Sequence, residues 1–202
     1  WVLIQEAGTK EKTVMMDVWA CDSVRKSQMQ ALGFRQYRAW TFLTERSLIN
    51  KAIPEKPLPD GFTIRRAKVD DIAQLAIVQN SAFGDDISPE DFQNTVIQAA
   101  GFDIQDEMVV VAPDGRIAAY THLWFDDQNG VGMFEPVGAH QDFHRMGLTS
   151  AMMAQALREM HKAGMHTAQV SYTVTNVAAE RLYRRLGFVI KDWSVGMIKA
   201  IT

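Results

Sequence analysis

Two stretches of this chain, 154 positions apart, carry the same succession of strand-, helix- and turn-forming residues, and one fold must satisfy both. Shifting residues 13–34 by that amount lays Asp22 on Asn176, Leu32 on Leu186, Gly33 on Gly187 and Phe34 on Phe188. Thr13 to Trp19 falls on Thr167 to Thr173. Each copy reads as a strand, a helix opened by a capping Asp or Asn, and a glycine whose freedom at positive φ closes that helix. A capped helix ending in Leu-Gly-Phe can arise by chance, but matching strand, helix length and following strands favour duplication. Residues 1–50 then read as a partial, degenerate half-domain. The second copy's Tyr183 is Met29 in the first, so chemistry resting on that Tyr has been lost there.

Pro54, Pro57, Pro59 and the Asp60-Gly61 turn make residues 51–61 a linker, followed by one complete domain over 62–202. A strand over 62–66 leads to an amphipathic helix over about 70–83. Ser88-Pro89-Glu90-Asp91 opens a second helix that Gly101 ends. Strands follow over 107–112, 116–125 and 131–139, then a helix over 145–163, a strand over 168–173, a helix over 176–186, and two strands over 188–201. This order predicts an α+β fold with a mixed, mostly antiparallel central sheet flanked by helices. Because Trp1 opens inside an apolar run, the true start is expected to lie upstream.

At 202 residues, 47% hydrophobic and 22% charged, the composition is that of a globular protein with a real core. A net charge of −3 argues against nucleic acid as a partner. No apolar run is long enough to span a bilayer. The single Cys21 excludes an intrachain disulfide framework and fits a reducing cytoplasm. The five His residues show no metal-ligand spacing.

The chemistry concentrates between Glu135 and Phe188. There a strand ending Val137-Gly138-Ala139 runs through His144-Arg145-Met146-Gly147-Leu148-Thr149 into a helix. A helix N-terminus offers unpaired N–H groups and partial positive charge, which suits a diphosphate. Gly147 permits close backbone approach and Arg145 adds charge, although a plain structural turn reads the same way. Asn176, an N-cap by position, shares a helix face with Tyr183, an exposed-type Tyr two turns on. Tyr183 is either a core aromatic or an acid for a leaving group.

These residues resemble the GCN5-related N-acetyltransferase superfamily. Its acyl-CoA loop reads Arg/Gln-x-x-Gly-x-Gly/Ala, and His144, Gly147 and Thr149 occupy the three marked positions. Its downstream Asn-x-x-Ala-x-x-Leu-Tyr-x-x-x-Gly-Phe pattern is met in full by Asn176, Ala179, Leu182, Tyr183, Gly187 and Phe188. With the internal repeat, the whole chain is similar to tandem members. The resemblance implies an acyltransferase that moves an acetyl group from acetyl-CoA to the amine of a small molecule or peptide. Val137, Gly138 and Ala139 would meet the pantetheine arm, and Arg145, Met146, Gly147, Leu148, Thr149 and Ser150, with His144, would cradle the diphosphate. Asn176 and Ala179 would hold the pantetheine side, and Tyr183 would protonate the departing thiolate.

By the same resemblance Glu135 is the candidate base, with an exposed edge carboxylate as the plain alternative. His122 is the second candidate, on a strand face shared with Tyr120 and Trp124. Trp124, Phe125 and Phe134, beside Asp126, Asp127 and Glu135, would line a pocket for a cation with an apolar part. The partners implied are acetyl-CoA and an amine, with no metal, nucleic acid or membrane, and an oligomer is compatible with the chain. A non-catalytic acyl-CoA-binding module is the alternative function, and residues 1–50 acting as an interaction element is a third reading.

Overall fold

The computed structural model describes residues 12–201 in full and residues 2–5 as backbone, so the expectation about Trp1 lies outside the described residues. In chain order the elements are β1 (Val2–Gln5), β2 (Lys12–Trp19), α1 (Ser23–Ala31), β3 (Arg35–Ser47), β4 (Thr63–Arg66), α2 (Ile72–Phe83), α3 (Pro89–Phe92), β5 (Glu107–Val111), β6 (Ile117–Asp126), β7 (Val131–Ala139), α4 (Leu148–Lys162), β8 (Thr167–Thr173), α5 (Val177–Arg185) and β9 (Val189–Ile201). The order expected over residues 62–186 is the order found. The described residues up to Glu45 and from Val170 onward form one compact unit, and Arg46–Gln169 form the other. The Pro-rich segment 51–61 lies inside the second of these.

In the Arg46–Gln169 unit, β4, β5, β6 and β7 are neighbours in that order, each pair antiparallel. Helices cover both faces of these strands. Leu75, Ala76, Val78 and Phe92 from α2 and α3 pack with Val109, Ile117 and Tyr120. Met152, Met153, Leu157 and Met160 of α4 are fully buried. Strands covered on both sides need apolar residues at successive positions, which is why Met108 to Val110 and Ile117 to Leu123 are buried without alternation. Ser88 caps α3 as expected by accepting from Asp91 N. The α-helix expected to continue toward Gly101 ends at Phe92, and residues 93–97 form a wider π turn. Gln98 N bonds back five residues to Gln93 O, and the Thr95 hydroxyl donates to Asp91 O.

In the other unit β9 lies between β2 and β3, antiparallel to both. Next to β3 comes β8, joined by the Thr44 hydroxyl donating to Val170 O and by Val174 N donating to Trp40 O. Residues 188–201, expected as two strands, make one 13-residue strand whose irregularities are bulges in its pairing with β3. The helices α1 and α5 end alike. Asp22 accepts from Arg25 N at 2.9 Å, and Asn176 accepts from Ala179 N at 3.0 Å. Phe34 N donates to Met29 O, and Phe188 N donates to Tyr183 O, each at 3.0 Å. Gly33 and Gly187 both stand at positive φ, 84° and 87°. Met29 is buried with Val18, Phe34 and Met197.

Candidate active site

The loop after β7 is tied down before it reaches α4. His140 N donates to Ala118 O, and Gln141 bonds Ser81 through both its backbone N–H and its side-chain amide. Phe143 packs edge-on against Phe62, and the Arg116 guanidinium sits 4.7 Å over its ring while binding Asp114 and Asp142. His144 is exposed, and its Nε2 lies 3.2 Å from Ala139 O. The backbone then turns left-handed twice, at Arg145 (φ 65°) and Gly147 (φ 79°). The helix expected from residue 145 therefore begins at Leu148. Gly147 is its N-cap and brings no side chain to bond the first turn. The N–H groups of Leu148, Thr149 and Ser150 have no intrahelical acceptor at that end. Nothing lies within 4 Å of the place a Gly147 Cβ would take. An open, donor-rich helix start of this kind fits a diphosphate, and Arg145 and Met146 are exposed beside it.

On β7 a bulge changes which face each residue occupies. Thr121 pairs with Val137, but Leu123 pairs with Phe134, so Glu135 and Pro136 together stand opposite His122. Before the bulge the α-carbon of Gly132 points at Met160 of α4, and after it that of Gly138 points at Tyr120 and at Ala82 of α2. Both are even-numbered positions, which a regular strand would keep on one side. Phe134, expected at a pocket, pairs with Leu123 ahead of the bulge and is fully buried in the core. Ala139 pairs with Ala119. Trp124 Nε1 donates to Glu135 O at 2.9 Å. Water reaches the Glu135 carboxylate, yet the protein atoms crowded around it push its pKa up by desolvation.

His122 is interior, 1% exposed, with Nδ1 bonded to Glu107. Burial pushes the Glu107 carboxyl up, against the opposing pull of His122. Sequence reasoning missed Glu107. Its only trace is a carboxylate opening an apolar strand, and its partner is set by pairing with β6.

In the other unit Asn176 performs the capping role expected of it. Tyr183, expected as an exposed type, is 5% exposed, because its ring packs 5.8 Å from Tyr172 and 6.0 Å from Phe188. It borders a cavity of about 270 Å³ with Thr44, Tyr172, Glu180, Arg184 and Phe188. Among the described residues no group of three His, Cys, Asp or Glu is placed to hold a metal, and no helix is long and apolar enough to cross a membrane.

Residues 70–188 match the acetyltransferase (GNAT) family. The chain is 30% identical over 188 residues to a mycothiol acetyltransferase of Salinispora tropica, covering 87% of this chain and 60% of that protein. It is 27% identical over 181 residues to the mycothiol acetyltransferase of Streptomyces avermitilis, covering 84% and 56%. The chain thus spans well under two thirds of these curated relatives. Among solved structures it is similar in fold to a GCN5-related N-acetyltransferase from Sphaerobacter thermophilus, with a TM-score of 0.74 at 21% identity, covering 94% of this chain and 60% of that one. It is similar too to a tandem GNAT protein from the clavulanic acid biosynthesis pathway, with a TM-score of 0.72 at 13% identity, covering 93% and 64%.

Proposed function

The chain belongs to the acetyltransferase (GNAT) family, and from that premise we propose that it moves an acetyl group from acetyl-CoA to the amine of a small-molecule or peptide acceptor by direct attack. The observation that carries this reading is the start of α4, where two left-handed residues and a glycine cap leave the first-turn N–H groups open to a diphosphate. His144 and Thr149 stand where the family pattern has Arg or Gln and Gly or Ala, but a main-chain cradle does not depend on those side chains.

In the reaction the amine nitrogen bonds to the thioester carbon, and the carbonyl oxygen takes the negative charge. Backbone N–H groups of β7 are the proposed donors to that oxyanion. The C–S bond then breaks, the thiolate takes a proton from the Tyr183 hydroxyl, and Glu135 takes the amine's proton. A carboxylate with raised proton affinity suits that task better than a free one. Asn176 and Ala179 are proposed to meet the pantetheine arm with Val137, Gly138 and Ala139, and Trp124 to border the acceptor.

The shared end geometry of α1 and α5 supports reading the segments around them as copies of one unit, with residues 1–50 a degenerate half-domain joined through 51–61. The relatives are named mycothiol acetyltransferases, so amines of the mycothiol type come first in an acceptor panel. The second reading, an acyl-CoA-binding module without turnover, is favoured by the burial of Tyr183. Calorimetric titration with acetyl-CoA, followed by an amine screen that measures released thiol, separates the two. No binding of acetyl-CoA would overturn both.

A further inference from the structure

A row of ionisable side chains crosses three strands of the Arg46–Gln169 unit, and the chemistry proposed above uses only one of them. Glu107 of β5 directly opposes His122 of β6, and His122 stands opposite the Glu135–Pro136 bulge of β7. Glu107 and His122 are 2% and 1% exposed. Glu107 Oε2 lies 3.0 Å from the imidazole Nδ1, while Oε1 is buried with no partner among the described residues. Phe102 stacks on the imidazole at 4.3 Å and Trp124 meets it at 4.5 Å, so the ring is fixed in orientation as well as paired. Among the described residues no hydrogen bond engages Nε2.

Glu135 joins this row by alternation: Gly132 and Phe134 lie on the α4 side of β7, so Glu135 lies on the side of Tyr120 and α2, where alternation along β6 puts His122 as well. The bulge adds Pro136 opposite His122 and brings Gly138 to that same side. The charges of both Glu107 and Glu135 act on the Tyr120 hydroxyl, which places the two carboxylates around one neighbour. Asp106, whose carboxyl feels His122, and Arg66, which donates to Asp106 O, complete the ionisable groups around the pair.

An imidazole whose Nδ1–H is held by a carboxylate presents Nε2 as a proton acceptor. With Glu107 ionised and Nε2 bare, the buried pair carries one negative charge. Uptake of one proton neutralises it, and burial favours the neutral state. We propose that Glu107 is a positioning residue that holds His122 as the proton acceptor behind Glu135. The proton Glu135 takes from the attacking amine passes to His122 Nε2, and the Glu135 carboxylate is restored. That proton leaves to water as product departs, and Tyr183 recovers from water the proton it gave the thiolate. This inference rests on the acetyl-transfer reading.

The test uses the full chain with Glu107→Gln, Glu107→Asp and His122→Gln. Nitrogen-15 NMR of the His122 ring should find the proton on Nδ1 in the parent protein. In Glu107→Gln the preference for Nδ1–H should weaken, because the anionic acceptor that holds that proton is gone. The acid limb of the kcat/KM profile reports the coupled set, and it should move down by about one pH unit in Glu107→Gln. Its kcat should fall about tenfold, with partial recovery in Glu107→Asp. A thermal melt alone would register a structural role; the pH profile would not. Normal acetylation with superimposable profiles, or an Nε2–H tautomer in the parent, would overturn the relay and leave the acetyl-transfer reading standing. A chain that binds acetyl-CoA but acetylates no amine would remove both, even with the Nδ1–H tautomer in place.

Discussion

The ring of Tyr183 lies 5.8 Å from that of Tyr172 with the two planes at 59°. The aromatic body of Tyr183 therefore belongs to the packing of its unit, and the hydroxyl is the part proposed to act as the acid. Tyr183→Phe keeps the packing and removes the hydroxyl. We expect kcat to fall by about 10²-fold or more, with acetyl-CoA affinity and melting temperature nearly unchanged. Tyr183→Ala should instead cost about 3–5 kcal/mol of stability. Equal turnover in the parent and Tyr183→Phe would remove the acid assignment.

Gly147 and Gly164 offer a matched pair. Both stand at positive φ with nothing near the place a Cβ would take, so an alanine at either is strained through its backbone alone. Each should cost about 1–2 kcal/mol in stability. Calorimetry should show weaker acetyl-CoA binding, by about tenfold, for Gly147→Ala, whose strain distorts the donor-rich turn. Gly164→Ala should bind as the parent does. Equal affinities for the two variants would argue against the α4 start as the diphosphate site.

Glu135 must be ionised to act as a base, and desolvation raises its pKa. Activity should accordingly rise with pH along an acid limb above the ordinary carboxylate range. Glu135→Gln should lower kcat/KM by about 10²-fold and abolish that limb. A rate profile keeping the same limb in the variant would assign the base elsewhere.

Asp71 makes a two-pronged ion pair with Arg65, at 2.6 and 2.9 Å, and also accepts from Lys68 N. Arg65 holds its carboxyl below the usual range. A carboxylate with a depressed folded pKa stabilises the fold above its unfolded pKa, and that contribution is lost as pH falls through the folded value. Asp71→Asn should cost about 1–3 kcal/mol at neutral pH. Denaturant melts should show the gap from the parent closing below about pH 4. A gap independent of pH would mean the pair contributes through packing alone.

The elements over residues 62–186 were readable in order because their signals are local. Ser88, Asn176 and Gly187 mark helix ends through bonds to residues three to five positions away. The π turn at 93–97 escaped because Gln93 and Thr95 carry no periodic signal distinct from an α-helix. Phe134 lies in the core and not at a pocket because its pairing with Leu123 sets its face, and that pairing is not written in the local sequence. The helix pattern alone reads Tyr183 as an exposed type, because its neighbours Tyr172 and Phe188 close over it only in the folded unit.

By itself the sequence determined the succession of strands and helices, the caps of α1 and α5, and the family pattern from His144 to Phe188. All of these are written within one or two turns of chain, where backbone geometry and side-chain period act directly. Only the tertiary structure decided that β9 runs between β2 and β3, that β7 changes face at Glu135, and that Glu107 meets His122. Each depends on the register between strands distant in sequence. That register is set by packing across the sheet, which no short window of sequence contains.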